Sequence, residues 1–134
     1  MLTRETLLNH LRSLDGVRNP EGDIYVISVG WDGVPRLQDV TIEFDDEGFV
    51  LYSPIANADE IESDLLTGFV GSFALPERFN LCLYEFWPPD FYWCLRFTSD
   101  FSQFGNIEDL KAEITVLAEV CDILESKISE SDAL

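Results

Sequence analysis

The residue types that most often carry catalysis are scarce in this chain of 134 residues. His10 is its one histidine, and it lies among Leu7, Leu8 and Leu11 on a predicted helix. General acid–base and nucleophilic catalysis need a titratable group poised near neutral pH, and a Ser-His-Asp or Cys-His arrangement could use only His10. The GxSxG, GxGxxG and P-loop motifs are absent. We therefore predict no catalytic residue and no enzymatic activity, while an enzyme that uses two of the 26 carboxylates is left open because spacing selects no pair.

The residues that could bind a metal do not show the spacing of a metal site. Cys82, Cys94 and Cys121 lie in apolar segments, without a CxxC pair or Cys/His spacing, so they are predicted to be core cysteines rather than a disulfide framework or a zinc site. The densest acidic run is Asp45-Asp46-Glu47-Gly48. A calcium loop needs six to eight oxygen ligands, so this run is interpreted as a solvated turn. We expect no metal and no cofactor.

The charge of the chain limits its partners. It has 26 acidic against 8 basic residues, which gives a net charge of −18. Nucleic acids and anionic membranes attract clusters of Lys and Arg, so binding to either is not expected. The charge favours a basic protein partner, or it only keeps an apolar protein soluble. No apolar run approaches the roughly 20 residues of a membrane span and no signal peptide is evident, so a cytoplasmic location is expected.

Hydrophobic periodicity predicts a single domain over residues 1–134, with residues 129–134 as a frayed tail. Repeats of three and four predict three amphipathic helices, at 3–14, 57–73 and 106–128. Thr3 and Asn106 are the expected caps of the first and last helix, and Asn57 with Glu60 resembles a capping box for the middle one. Alternating apolar and β-branched residues predict five strands, at 24–31, 40–44, 49–52, 81–87 and 91–98.

The order of these elements predicts the fold class. It is α-β-β-β-α-β-β-α, and its consecutive hairpins predict an antiparallel five-stranded sheet covered by three helices, an α+β fold. The segment 16–22 is predicted to be a loop because it contains Asn19-Pro20 and two glycines. Phe91 and Trp93 are assigned to the core by alternation. Trp87 and Tyr92 flank the Pro88-Pro89 turn and are predicted to anchor a protein interface.

This element order resembles the type III secretion chaperone-like fold, which YbjN-like proteins share. The resemblance is carried by the opening helix over 3–14, by Asp45-Asp46-Glu47-Gly48 with the strand that follows it, and by Cys94-Leu95-Arg96-Phe97-Thr98 leading into the last helix. It implies a homodimer without enzymatic activity that forms through the middle helix and neighbouring strands and binds an extended segment of a client on apolar surface patches. Gly68 and Gly71 would allow close helix approach there. The candidate interface residues are then Leu66, Phe69, Val70, Phe73, Trp87 and Tyr92.

Two functions follow as hypotheses. The first is a non-enzymatic adaptor or chaperone-like protein, a homodimer that holds a partner's segment on an apolar surface. The second is an acidic inhibitor or immunity-type protein that blocks a basic site on a toxin or nuclease, which the charge of −18 would steer toward its target.

Overall fold

The computed structural model describes residues 1–31, 37–73, 75–87 and 90–130, and it leaves out the side chains of residues 86, 87, 129 and 130. Three helices and an antiparallel sheet form the α+β fold that the sequence predicts. The helices are α1 (Arg4–Ser13), α2 (Ser63–Gly71) and α3 (Ile107–Glu130), with a 3₁₀ turn at Phe101–Gln103. The strands are β1 (Arg18–Glu21), β2 (Ile24–Val29), β3 (Gln38–Phe44), β4 (Gly48–Asn57), β5 (Asn80–Trp87) and β6 (Asp90–Asp100).

The sheet has six strands rather than the five expected, in the order β1-β2-β3-β4-β6-β5. The additional strand is β1, within the segment predicted to be a loop. All four of its residues are exposed and it pairs only with β2, so Pro20 lies on an edge strand, where a missing N–H donor is tolerated. The element order is therefore α-β-β-β-β-α-β-β-α.

The hydrophobic core lies between one face of the sheet and the helices. Helix α3 crosses this face over β3 and β4, and α1 packs beside α3. Spacings of three and four along α3 predict one apolar stripe, and its residues are buried except for the half-buried Ile107: Leu110, Ile114, Leu117, Cys121, Leu124 and Ile128. The sequence also predicts that Val116, Val120 and Ile123 widen this stripe. Val120 packs half-buried against the core, but the prediction is wrong for Val116 and Ile123, because both side chains are exposed.

Hydrogen bonds between nearby residues show which side chains cap the helices. Thr3 Oγ1 accepts from the Thr6 backbone N–H at 3.1 Å, and Asn106 Oδ1 accepts from the Asp109 N–H at 3.0 Å, so both predicted caps are confirmed. The capping box at Asn57 is wrong. Asn57 Oδ1 instead accepts from the Asp59 N–H, in a turn that ends β4, and α2 begins only at Ser63.

The opposite face of the sheet is concave. Residues from both edge strands, including Arg18 of β1 and Tyr84 of β5, line one groove of about 680 Å³ on this face. The Tyr84 hydroxyl also donates to Glu43 Oε2 on β3 at 3.0 Å. In a flat sheet, three strand spacings of about 4.8 Å would separate β5 from β3. The Tyr84 side chain therefore reaches across β6 and β4 on this face, and residues of both edge strands bound the groove.

Candidate functional site

The candidate site is an apolar surface on the helix side of β5 and β6, which we call the hairpin patch and define as Leu83, Phe91 and Trp93. Leu83 lies directly opposite Trp93, and Phe91 shares the face of Trp93 by alternation along β6. Leu83 and Phe91 are each 49% exposed, and Trp93 is half-buried against the core. Large apolar side chains exposed together typically mark a surface that binds another molecule.

The start of α2 completes the site. A groove of about 480 Å³ lies between the hairpin patch and the turn that leads into α2. Leu83 and Trp93 form one wall, and the other wall is formed by Ala58, Ile61, Glu62, Ser63 and Asp64. The late start of α2 creates this geometry, because residues 58–62 form a turn instead of the first helical turn that the sequence predicts. The groove therefore has an apolar wall and an acidic rim.

Glu62 and Asp64 line the groove, and Asp59 and Glu60 are exposed in the turn that precedes them; we call these four carboxylates the acidic rim. The ion pairs between described residues form elsewhere, at Arg4–Asp23, Arg18–Asp39, Arg78–Glu113 and Lys111–Glu108. Within residues 37–95 the sequence has twelve Asp and Glu but a single basic residue, Arg78. The local field at the groove is consequently negative, and it favours a ligand that carries Lys or Arg.

The interface residues predicted from sequence do not lie together on one exposed surface. Leu66 is 0% exposed and belongs to the core, so its side chain offers no surface to a partner in the single chain. Phe69, Val70 and Phe73 are half-buried against the same core. Tyr92 lies opposite Tyr84, on the concave face and away from the hairpin patch, and the side chain of Trp87 lies outside the described residues.

From the sequence, Phe91 and Trp93 are assigned to the core and Leu83 is not singled out. Phe91 shares its alternation with the buried Leu95 and Phe97, yet it is half exposed. Leu83 lies on the edge strand β5. Alternation correctly indicates the face on which both side chains lie, but it does not indicate where the helical layer over that face ends.

The concave groove, of about 680 Å³, is larger than the groove beside the hairpin patch, and two of its polar side chains already have partners. Arg18 pairs with Asp39 at 3.1 Å, and Asn19 donates to the backbone oxygens of Glu21 and Ile24. Pro20, Ile24, Val26 and Tyr84 supply its apolar lining. Its large apolar lining side chains are not among the strongly exposed ones, whereas Leu83 and Phe91 are each half exposed.

Two tyrosines on the concave face are held in their neutral form. The Tyr52 and Tyr84 ring centroids are 4.1 Å apart. Burial, followed by the negative charge of Glu43, raises the pKa of Tyr52 to about 12. Burial and the hydrogen bond to Glu43 likewise raise the pKa of Tyr84. Both phenols are protonated at neutral pH, so they can donate hydrogen bonds but are poorly suited to act as bases.

His10 lies on α1, away from both grooves. Burial and then the positive charge of Lys111 lower the pKa of its imidazole, while Glu108 opposes this shift. The described part of the chain contains no group of three or more His, Cys, Asp or Glu side chains that could hold a metal ion. None of its helices combines the length and apolarity needed to cross a membrane.

The chain was compared with protein-family models, curated proteins and solved structures, and none of the three comparisons finds a match.

Proposed function

We propose that the protein is a non-enzymatic adaptor that holds a segment of a partner protein in the groove between the hairpin patch and the start of α2. The observation that carries this proposal is the joint exposure of Leu83 and Phe91 beside a groove with an acidic rim. The occupant is an extended segment with one or two large apolar side chains flanked by Lys or Arg. A cytoplasmic location is part of the proposal.

The apolar wall supplies affinity in this arrangement. Burying a side chain of the size of Leu or Phe contributes about 2 kcal/mol, and Leu83 and Phe91 each leave half of their surface free to be covered. Aromatic side chains such as Phe91 and Trp93 often anchor interfaces because they bury a large area with few rotatable bonds. The groove of about 480 Å³ has room for one such side chain from the partner.

The acidic rim supplies selectivity. The carboxylates of the acidic rim form no ion pair within the part of the chain that the structure describes, so they can pair with Lys or Arg of the occupant, which adds attraction and speeds encounter at low salt. The same rim would repel an acidic segment. Resemblance to the type III secretion chaperone-like fold and YbjN-like proteins supports the same class of function, since it also implies an apolar surface that holds an extended client segment.

Selection of peptides from a random display library on the immobilised full chain tests the proposal. We expect the selected peptides to combine large apolar residues with Lys or Arg. Leu83→Asp should weaken their binding at least about tenfold, because it removes an apolar contact and adds a like charge at the groove. Binding isotherms of one selected peptide, measured at low and moderate salt, check both effects.

Ile123→Asp is the matched control, because Ile123 is another exposed aliphatic side chain, 42% exposed, on α3. It should leave peptide affinity unchanged. Equal losses of peptide affinity in Leu83→Asp and Ile123→Asp, or selected peptides rich in Asp and Glu, would contradict the proposal.

We further propose that the protein forms a homodimer through α2. Gly68 and Gly71 are exposed, and a Cβ atom added at either would meet no other atom within 4 Å, so a second chain could approach this surface closely. Phe69 and Val70 keep part of their apolar surface free beside them. Light scattering at tens of micromolar should give the mass of two chains, and Gly68→Glu should give the mass of one. A single-chain mass for the unaltered protein would contradict dimerisation.

A second candidate function is that of an acidic inhibitor that blocks a basic site on a toxin or nuclease. It is favoured by the presence of one basic residue against twelve acidic residues over 37–95. The two functions differ in their occupant. An inhibitor of a folded basic protein would bind short linear peptides weakly and would lose affinity steeply with salt, whereas Leu83→Asp would have little effect.

A further inference from the structure

Two of the three cysteines face each other across β5 and β6. Cys82 is directly opposite Cys94 in the antiparallel register, and the two Sγ atoms are 3.2 Å apart. Both side chains lie on the concave side of the sheet, opposite to the hairpin patch. The third cysteine, Cys121, is buried on α3, where its Sγ contacts the backbone oxygen of Ser53.

The backbone at this pair suits a disulfide. Residues directly opposite each other in antiparallel strands have Cα atoms about 4.5 or 5.5 Å apart, and both values fall within the range of about 4.4–6.8 Å that disulfides span. The two sulfurs need to approach by only about 1 Å to reach the S–S bond length. Side-chain rotation can supply that movement without a change of register.

The two thiols differ in reactivity. Cys82 is half-buried, whereas Cys94 is fully buried. The hydrogen bond from Cys94 lowers the pKa of Cys82, with help from the charge of Arg96 and against the effect of burial. The same hydrogen bond, together with burial, raises the pKa of Cys94. Cys82 is thus the more accessible thiol and ionises first, as an attacking cysteine must, and Cys94 lies where a resolving cysteine is needed.

We propose that Cys82 and Cys94 form a reversible intramolecular disulfide by exchange with a low-molecular-weight disulfide such as oxidised glutathione. The Cys82 sulfur, having released its proton to solvent, attacks one sulfur of the glutathione disulfide. The S–S bond breaks, and one glutathione leaves as a thiolate and takes up a proton. Cys94 then loses its proton, its sulfur attacks Cys82 Sγ, and the second glutathione leaves in the same way. Two electrons pass from the cysteine pair to the glutathione disulfide.

The disulfide would join β5 and β6 directly behind the hairpin patch. Leu83 follows Cys82 in the chain and Trp93 precedes Cys94, so the covalent bond fixes the register of the pair that forms the apolar wall. Formation of this disulfide does not depend on what the hairpin patch binds.

Thiol counting under a defined redox poise tests the proposal. The reduced full chain is equilibrated with glutathione mixtures of increasing oxidised fraction and quenched in acid, and its free thiols are alkylated under denaturing conditions for mass spectrometry. We expect the number of free thiols to fall from three to one without a lasting glutathione adduct. Digestion without reduction, using a protease that cleaves after Glu85, should release Cys82 and Cys94 in two peptides linked to each other.

Single variants separate the roles of the two thiols. Cys94→Ser should stop at a glutathione adduct on Cys82, Cys82→Ser should form neither adduct nor disulfide, and Cys121→Ser should behave as the unaltered chain does. Circular dichroism checks that each variant folds. Whether the Cys82–Cys94 disulfide forms is decided by the thiol count of the unaltered chain. Three free thiols at every poise, a stable glutathione adduct in the unaltered chain, or a linkage that includes Cys121 would overturn the proposal.

Discussion

Replacing Phe49 by Ala is expected to lower the free energy of unfolding by about 4 kcal/mol, because Phe→Ala substitutions in a core typically cost about 3–5 kcal/mol. Phe49 is 0% exposed and lies near the start of β4, between β3 and β6. Its ring centroid is 5.5 Å from that of Phe101 and 5.9 Å from that of Phe104, and these residues lie between β6 and α3. The substitution therefore removes contacts that connect the sheet with the segment leading into the longest helix.

Urea denaturation followed by circular dichroism measures this loss. Phe91→Ala is the matched control, since it makes the same substitution at a half-exposed position, and it should cost less than about 1 kcal/mol. Equal costs for the two variants would show that the core is not organised around Phe49.

Gly48→Ala is expected to destabilise the protein by about 3 kcal/mol, at the upper end of the usual cost of overpacking. A Cβ atom at this position would collide with the backbone oxygen of Ser99 and the Cα atom of Asp100 on β6. Gly48 pairs with Asp100 in the register of β4 and β6, so the two strands would have to separate to relieve the collision. Because the obstructing atoms belong to the backbone, a side-chain rotation cannot relieve it.

Gly22→Ala is the control for this substitution. Gly22 lies in the turn between β1 and β2, and an added Cβ atom would meet no other atom within 4 Å. Its free energy of unfolding should change by less than about 0.5 kcal/mol, measured in the same urea titrations. If Gly48→Ala proved as mild as Gly22→Ala, the close approach of β4 to β6 at this end of the sheet would be wrong.

The features that could be predicted from sequence depend on interactions within a short stretch of chain. The stripe of α3 repeats over six turns, and the caps at Thr3 and Asn106 are formed by residues three positions apart, so both follow from local spacing. Strand β1 could not be found in this way. Its four exposed residues show no alternation, and its strand partner in the described sheet is β2 alone.

Features that depend on tertiary packing were not accessible from the sequence. Gln38 is buried, and its Nε2 donates to Ser53 Oγ at 3.0 Å and to Glu125 Oε1 at 3.3 Å, joining β3, β4 and α3. Nothing in the spacing of these residues indicates that they meet. The late start of α2 instead has a local cause that the capping-box pattern does not distinguish, because Asn57 Oδ1 accepts from the Asp59 N–H in the turn after β4.

The candidate site was predicted only in part. An interface near the second hairpin and the middle helix was expected, but the residues that expose apolar surface are Leu83 and Phe91 rather than Leu66. The pairing of Cys82 with Cys94 does not follow from the sequence, because symmetry about a turn at Pro88-Pro89 would place Leu95 opposite Cys82. The irregularity between Tyr84 and Trp87 shifts the register by one residue and places Cys94 there instead.

The most direct test of the central claim is to map a bound peptide by amide chemical shifts in the full chain. A selected peptide that combines apolar and basic residues is titrated into the isotopically labelled protein. We predict that the largest shifts fall on Leu83, Phe91, Trp93 and residues 58–64, and that they vanish in Leu83→Asp. Shifts centred on the concave face around Val26 and Tyr84, or on the exposed side of α3, would contradict the account.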